Sequence, residues 1–122
     1  MSIAAYALVG LVAVAHVYFL VLEMFLFKTA YGRKTFGTTP EQAETNAVLA
    51  GNMGLYNGFL AAGLGWGIWL GLAAGRPVLT FFLACVIVAG IYGAATANKR
   101  ILFIQALPGG LALGLLWLAT AS

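Results

Sequence analysis

The side chains best suited to chemistry are the imidazole of His16 and the carboxyl group of Glu23, set in the stretch His16-Val-Tyr-Phe-Leu-Val-Leu-Glu23. On a helix that spacing is about 700° of rotation and roughly 10 Å of rise, so both side chains share one face. The separation is too long for a direct hydrogen bond and suits a group gripped between them. A carboxyl and an imidazole so placed form a candidate proton-transfer pair. Both stand in an apolar run, where an ionisable group is costly to desolvate and marks a functional site by default. Each also has a plainer reading: His16 as a neutral imidazole bonded to a carbonyl, Glu23 reaching the nearby interface or pairing with Lys28.

The elements that must position this pair are membrane spans. Of 122 residues, 63% are hydrophobic and 7% charged, with a mean hydropathy of +1.01. A soluble domain carries about 25% charged residues, so the composition excludes a water-soluble fold. Windows of about 20 apolar residues, the length that crosses the hydrocarbon, give four spans at about 3–27, 47–74, 78–97 and 101–121. The expected fold is all-α, a four-transmembrane-helix bundle forming a single domain. The first stretch has no basic leader and carries Glu23 where a cleavage site would fall, so it reads as a retained helix and not a signal peptide. A polar connection, about 28–46, separates the first two spans. Within it Thr38 or Thr39 followed by Pro40 and Glu41 marks a helix start, so the second helix is expected from Pro40 to about Ala74. Gly75-Arg76-Pro77 and Asn98-Lys99-Arg100 are short turns. Pro108 is expected to kink the last helix and free a carbonyl near residue 104.

Lys28, Arg33, Lys34, Lys99 and Arg100 fall in the first and third loops, against Arg76 alone in the second. The positive-inside rule then places those two loops in the cytoplasm and both termini outside. On this orientation the polar groups crowd into the cytoplasmic half. Glu23 and His16 come from the first helix, Asn52, Tyr56 and Asn57 from the second, Tyr92 and Thr96 from the third, and Gln105 from the fourth. They form a candidate ligand-binding set around the His16/Glu23 pair. Singly, Asn and Gln in membrane helices serve as interhelical glue, and tyrosines sit at the headgroup level. Tyr6, Thr80, Trp66, Trp69 and Trp117 occupy the outer half, the tryptophans as interfacial anchors or lipid-facing bulk.

Glycines recur every four residues at Gly63, Gly67, Gly71 and Gly75, with further small-residue rows at Gly54, Gly58, Ala62 and at Ala106, Gly110, Gly114. Such rows let helix backbones approach closely, either within the chain or across a homodimer. The basic residues lie in short loops between apolar spans, which does not suit nucleic-acid binding. One histidine, no aspartate and the lone Cys85 in an apolar run make no metal set, and no cofactor is legible.

Several stretches together resemble a known family. They are His16 with Tyr18 and Glu23-Met-Phe, Gly32-Arg-Lys-x-Phe36-Gly, and Asn52-x-Gly-x-Tyr56-Asn57-Gly-Phe-Leu-Ala-Ala-Gly. Cys85-Val-Ile-Val-Ala-Gly-Ile-Tyr92-Gly-Ala and Phe103-Ile-Gln105-Ala-Leu-Pro108 complete the set. This pattern is similar to the small bacterial membrane-protein family catalogued as domain of unknown function 1304. The resemblance covers nearly the whole chain and implies a four-helix integral protein of the bacterial inner membrane, with no activity attached. The residues leave three classes of function open. One is a site for a small amphiphile, such as a quinone, isoprenoid or sterol-like lipid, with isomerisation or proton shuttling as the chemistry. Another is proton-coupled transport, although the long first loop and the charge bias differ from the small multidrug exporters. The third is a structural or partner-binding subunit in which the polar groups only join helices.

Overall fold

The computed structural model describes residues 1–121, and the described residues are helical almost throughout. In chain order the helices are α1 (Ser2–Met24), α2 (Ala30–Phe36), α3 (Pro40–Leu70), α4 (Arg76–Thr96) and α5 (Leu107–Ala119), the last entered through a π-helical turn at Leu102–Ala106. Three stretches, Ser2–Met24, Arg76–Thr96 and Leu102–Ala119, are long and apolar enough to cross a membrane. Only 22–28% of the residues in their most apolar windows are buried. Large apolar side chains such as Ile3, Phe81, Val88, Phe103 and Leu118 are turned outward instead, the surface expected of helices solvated by lipid.

The second helix starts where its sequence signals place it. Thr39 and Gln42 exchange a reciprocal pair of bonds: the Thr39 N–H donates to Gln42 Oε1 at 2.9 Å, and the Gln42 N–H donates to Thr39 Oγ1 at 3.1 Å. This is a capping box, with Pro40 in the first turn. The helix stops four residues short of the expected Ala74. Gly71 adopts φ +93°, a left-handed conformation open to glycine, and its N–H bonds back to the Ile68 carbonyl at 3.0 Å. The connection expected over 28–46 is likewise not all loop, because it contains α2. Thr29 caps that helix, accepting from the Gly32 N–H at 3.1 Å, and Gly37 closes it at φ +67° with its N–H on the Arg33 carbonyl.

Pro108, expected to kink the last helix, follows a π-helical turn at Leu102–Ala106. Having no N–H, it cannot bond to residue 104, and the preceding turn widens so that the Leu107 N–H reaches the Leu102 carbonyl. The disruption is absorbed as a π-bulge.

The chain divides into two compact units, one of Met1–Val14 with the described residues from Leu60 onward, the other of Ala15–Phe59. The core of the first is built from helical seams: Ala5, Val9 and Val12; Leu79, Leu83 and Val86; Ala112 and Leu116; with Leu64 and Leu72. Within this unit Gly63 lies against the Phe82 ring, Gly67 against the Leu79 side chain, and Gly90 against the backbone of Ala106, with no room for a Cβ at any of them. Intrachain packing thus occupies most of the glycine row on α3, whereas Gly110 and Gly114 face open space. Arg76 clasps the end of α5 in the same unit. Its guanidinium lies 4.2 Å from the centre of the Trp117 ring and donates to the carbonyl and hydroxyl oxygens of Thr120 at 3.2 and 3.4 Å. Trp117 Nε1 donates to Thr80 Oγ1 at 3.1 Å, and the Leu72 N–H donates to the Tyr6 hydroxyl at 3.2 Å. Trp66 and Trp69 are exposed, in keeping with a lipid-facing or interfacial place.

Candidate functional site

The second unit holds the two ionisable groups with which the sequence is concerned. His16 and Glu23 both lie on α1 and are its buried polar residues, at 1% and 8% exposure. The His16 ring meets Phe19 edge-on, with centroids 5.1 Å apart. Glu23 is the penultimate residue of α1, and a donor from another helix meets its carboxyl group: the Asn57 side-chain amide of α3 donates to Glu23 Oε1.

That bond depends on how closely α1 and α3 approach within this unit. A Cβ at Gly54 would stand 2.6 Å from Met24 Cγ, 3.1 Å from Glu23 Cβ and 3.1 Å from the Leu20 carbonyl oxygen. One turn later, Gly58 faces the tip of Leu20 at a similar distance, 2.7 Å. These glycines remove the side-chain layer that would hold the helices about 8–10 Å apart. Asn57, flanked by them in sequence and space, is short yet reaches across. A carboxyl group buried away from water requires such a partner.

The other sequence-selected residues take different places. Asn52 is exposed, and its amide donates to the Val48 carbonyl of its own helix at 2.9 Å. Tyr56 is exposed and packs its ring near Phe59, centroids 6.2 Å apart. Tyr92, Thr96 and Gln105 belong to the first unit. There Tyr92 is 71% exposed, Thr96 caps the Tyr92 carbonyl at 2.7 Å, and Gln105 is half-buried. The structure therefore joins Asn57 to Glu23 and binds the hydroxyl or amide groups of Asn52 and Thr96 to their own helices. Lys28 pairs with Glu44 at 3.6 Å, so the Lys28–Glu23 pairing is not the one formed. Sequence reasoning passed over Tyr31, whose hydroxyl bonds that of Tyr18; residues 13 apart with a loop between them leave no periodic signal. Two shallow grooves lie on α4, one lined by Phe81, Ala84, Cys85, Val88, Ala89 and Tyr92, the other by Trp66, Pro77, Val78, Phe81 and Phe82. Both linings are almost wholly apolar and suit acyl chains more than polar chemistry.

Fold and site define a small all-helical protein with membrane-length helices and a buried, hydrogen-bonded carboxyl group. Residues 10–117 match the family described as Protein of unknown function (DUF1304), and the chain belongs to that family. It is also similar to the uncharacterised protein YpaA of Lactococcus lactis subsp. lactis, 32% identical over 115 residues that cover 93% of each chain. No solved structure matches the chain.

Proposed function

We propose that this is a four-span protein of the bacterial cytoplasmic membrane whose Glu23 carboxyl group, held by Asn57, forms the polar end of a binding site for a small amphiphilic molecule. Four spans require α3 to cross. Its composition is diluted by glycine and asparagine, but from Ala47 to Leu70 it holds no charged residue, and that length of helix is about 36 Å, enough for roughly 30 Å of hydrocarbon. The more polar first turns, with Glu41 and Glu44, then project into water. An even number of spans returns both termini to one side, and the basic loops put that side outside. That a relative occurs in Lactococcus lactis supports the bacterial part of this reading.

The observation that carries the functional reading is the Asn57-to-Glu23 hydrogen bond in a buried setting. Burying an ionisable group that only joins two helices is wasteful, because an amide would accept the same bond without the desolvation cost. The second carboxyl oxygen of Glu23 and its proton are what an amide would lack. With His16 about two turns away on the same face, the pair supplies an acid and a base to a ligand whose polar end carries a hydroxyl, carbonyl or amine. Proton shuttling or isomerisation are the reactions such a pair supports.

The test is thermal unfolding in detergent of wild type and Glu23→Gln against a panel of quinones, polyprenols and amphiphilic amines. A ligand bound at 100 times its Kd stabilises by about 2.7 kcal/mol. Stabilisation of the wild type and not of Glu23→Gln by one class supports the reading and names that class. Equal shifts for both proteins across the panel would remove Glu23 from the site.

A further inference from the structure

The segment between α1 and α3 is anchored far more firmly than a linker needs. Seven residues are too few for a helix that stands alone in water, yet α2 is fixed from several directions. Thr29 and Gly37 cap its ends. The Phe27 and Phe36 rings pack with centroids 5.2 Å apart, and the Tyr31 hydroxyl bonds that of Tyr18 on α1. Gly32 sits against the Leu26 carbonyl, where no Cβ fits. Side chains on α2 are therefore held in a set position beside the end of a membrane-length helix.

Those side chains form a distinct chemical surface. From Met24 to Gly37 the chain carries Lys28, Arg33 and Lys34 and no acidic residue. Lys28 is engaged by Glu44, whereas among the described residues Arg33 and Lys34 enter no ion pair. Beside them Phe25 is 69% exposed, Tyr31 54% and Phe36 41%. Aromatic rings and cations together are the composition of a segment seated at the membrane–water boundary.

We infer that α2 and the turn before it are a docking surface for anionic phospholipid headgroups of the leaflet in which α1 ends. Arg33 and Lys34 meet the phosphate oxygens, while Phe25, Tyr31 and Phe36 sit at the level of the glycerol backbone. The occupant follows from charge: the surface is cationic and apolar at once, which complements an anionic amphiphile. The leaflet rests on the proposed orientation, which puts this loop on the cytoplasmic side, where basic juxtamembrane segments meet anionic lipid. The surface does not depend on Glu23.

Native mass spectrometry of the full-length protein, from micelles doped equally with phosphatidylglycerol and phosphatidylcholine of the same acyl chains, tests this. The wild type is expected to retain phosphatidylglycerol in preference. Arg33→Gln/Lys34→Gln should lower that preference by up to about 25-fold, and Lys34→Gln alone by about fivefold, from the usual contribution of one basic residue at an anionic surface. Lys34 is exposed, so its single replacement spares the fold even if the double variant does not. Lys99→Gln/Arg100→Gln, which removes equal charge from the other basic loop of the same proposed leaflet but leaves α2 and its aromatic rings in place, should lower the preference clearly less than the Arg33/Lys34 double variant, and Glu23→Gln should leave it intact. Equal retention of the two lipids by the wild type would overturn the inference, as would an equal drop in both double variants.

Discussion

Replacing Gly54 by alanine adds one methyl group where α1 and α3 approach closely in the unit that holds Glu23. The new Cβ would stand 2.6 Å from Met24 Cγ and 3.1 Å from both Glu23 Cβ and the Leu20 carbonyl oxygen. Met24 is exposed and its side chain can swing aside, but the Leu20 carbonyl is backbone and cannot. The helices must therefore part by a few tenths of an ångström, at an overpacking cost of about 1–3 kcal/mol. Alanine in a helix interior returns about 1 kcal/mol over glycine. Gly51, about one turn earlier on the same helix, has nothing within 4 Å of its Cβ position, so Gly51→Ala gains the helix term alone. The difference between the two variants isolates the contact at about 1–3 kcal/mol. Thermal unfolding in one detergent reads it as a gap of several degrees, with Gly51→Ala the more stable. Equal midpoints would refute the close approach, and with it the explanation of how Asn57 reaches Glu23.

Other outcomes follow from the same contacts. Asn57→Ala removes the amide from the buried carboxyl group and should destabilise by about 1–2 kcal/mol, whereas Glu23→Gln keeps an acceptor and should cost less; the reverse order in thermal unfolding would contradict the assigned bond. The Arg76 guanidinium over Trp117 should give a coupling of about 0.5–1 kcal/mol in a double-mutant cycle of Arg76→Gln and Trp117→Leu, and independent effects would show that the stacking contributes nothing. Gly90→Val drives a side chain into the backbone of Ala106 and should destabilise by more than about 2 kcal/mol, against a Gly110→Ala that, like Gly51→Ala, meets open space and gains up to about 1 kcal/mol. Reporter fusions at the two termini test the span count: four spans put both reporters outside, and opposite sides would leave α3 uncrossed.

Much of this architecture could be read from local patterns, because membrane helices announce themselves by length and apolar composition. Pro40 and Thr39 marked the start of α3 since a capping box is written in adjacent residues. Helix α2 was hidden for the opposite reason: seven residues rich in Gly, Arg and Lys resemble a loop, although Thr29 and Gly37 were its legible caps. His16 and Glu23 stood out because charge is rare in such a sequence. That Glu23 pairs with Asn57 was not legible. Glycine spacing shows that Gly54 and Gly58 invite a close neighbour without naming it, and Asn52 and Asn57 look alike until the helix faces are known. Asn52 turns to its own backbone at Val48, as Thr96 does at Tyr92, so a polar residue in an apolar helix can be satisfied within that helix. The Arg76–Trp117 clasp joins residues far apart in the chain and had no sequence signal at all.

The measurement that bears most directly on the proposed site is native mass spectrometry of detergent-released protein, wild type beside Glu23→Gln and His16→Ala/Glu23→Gln. A discrete small-molecule adduct on the wild type, absent from both variants while they keep their helical content, is the predicted result, and its mass gives the ligand's class. An adduct that persists on folded Glu23→Gln, or a wild type that carries none from its native membrane, would contradict a ligand site at Glu23 and leave its carboxyl group as a tie between α1 and α3.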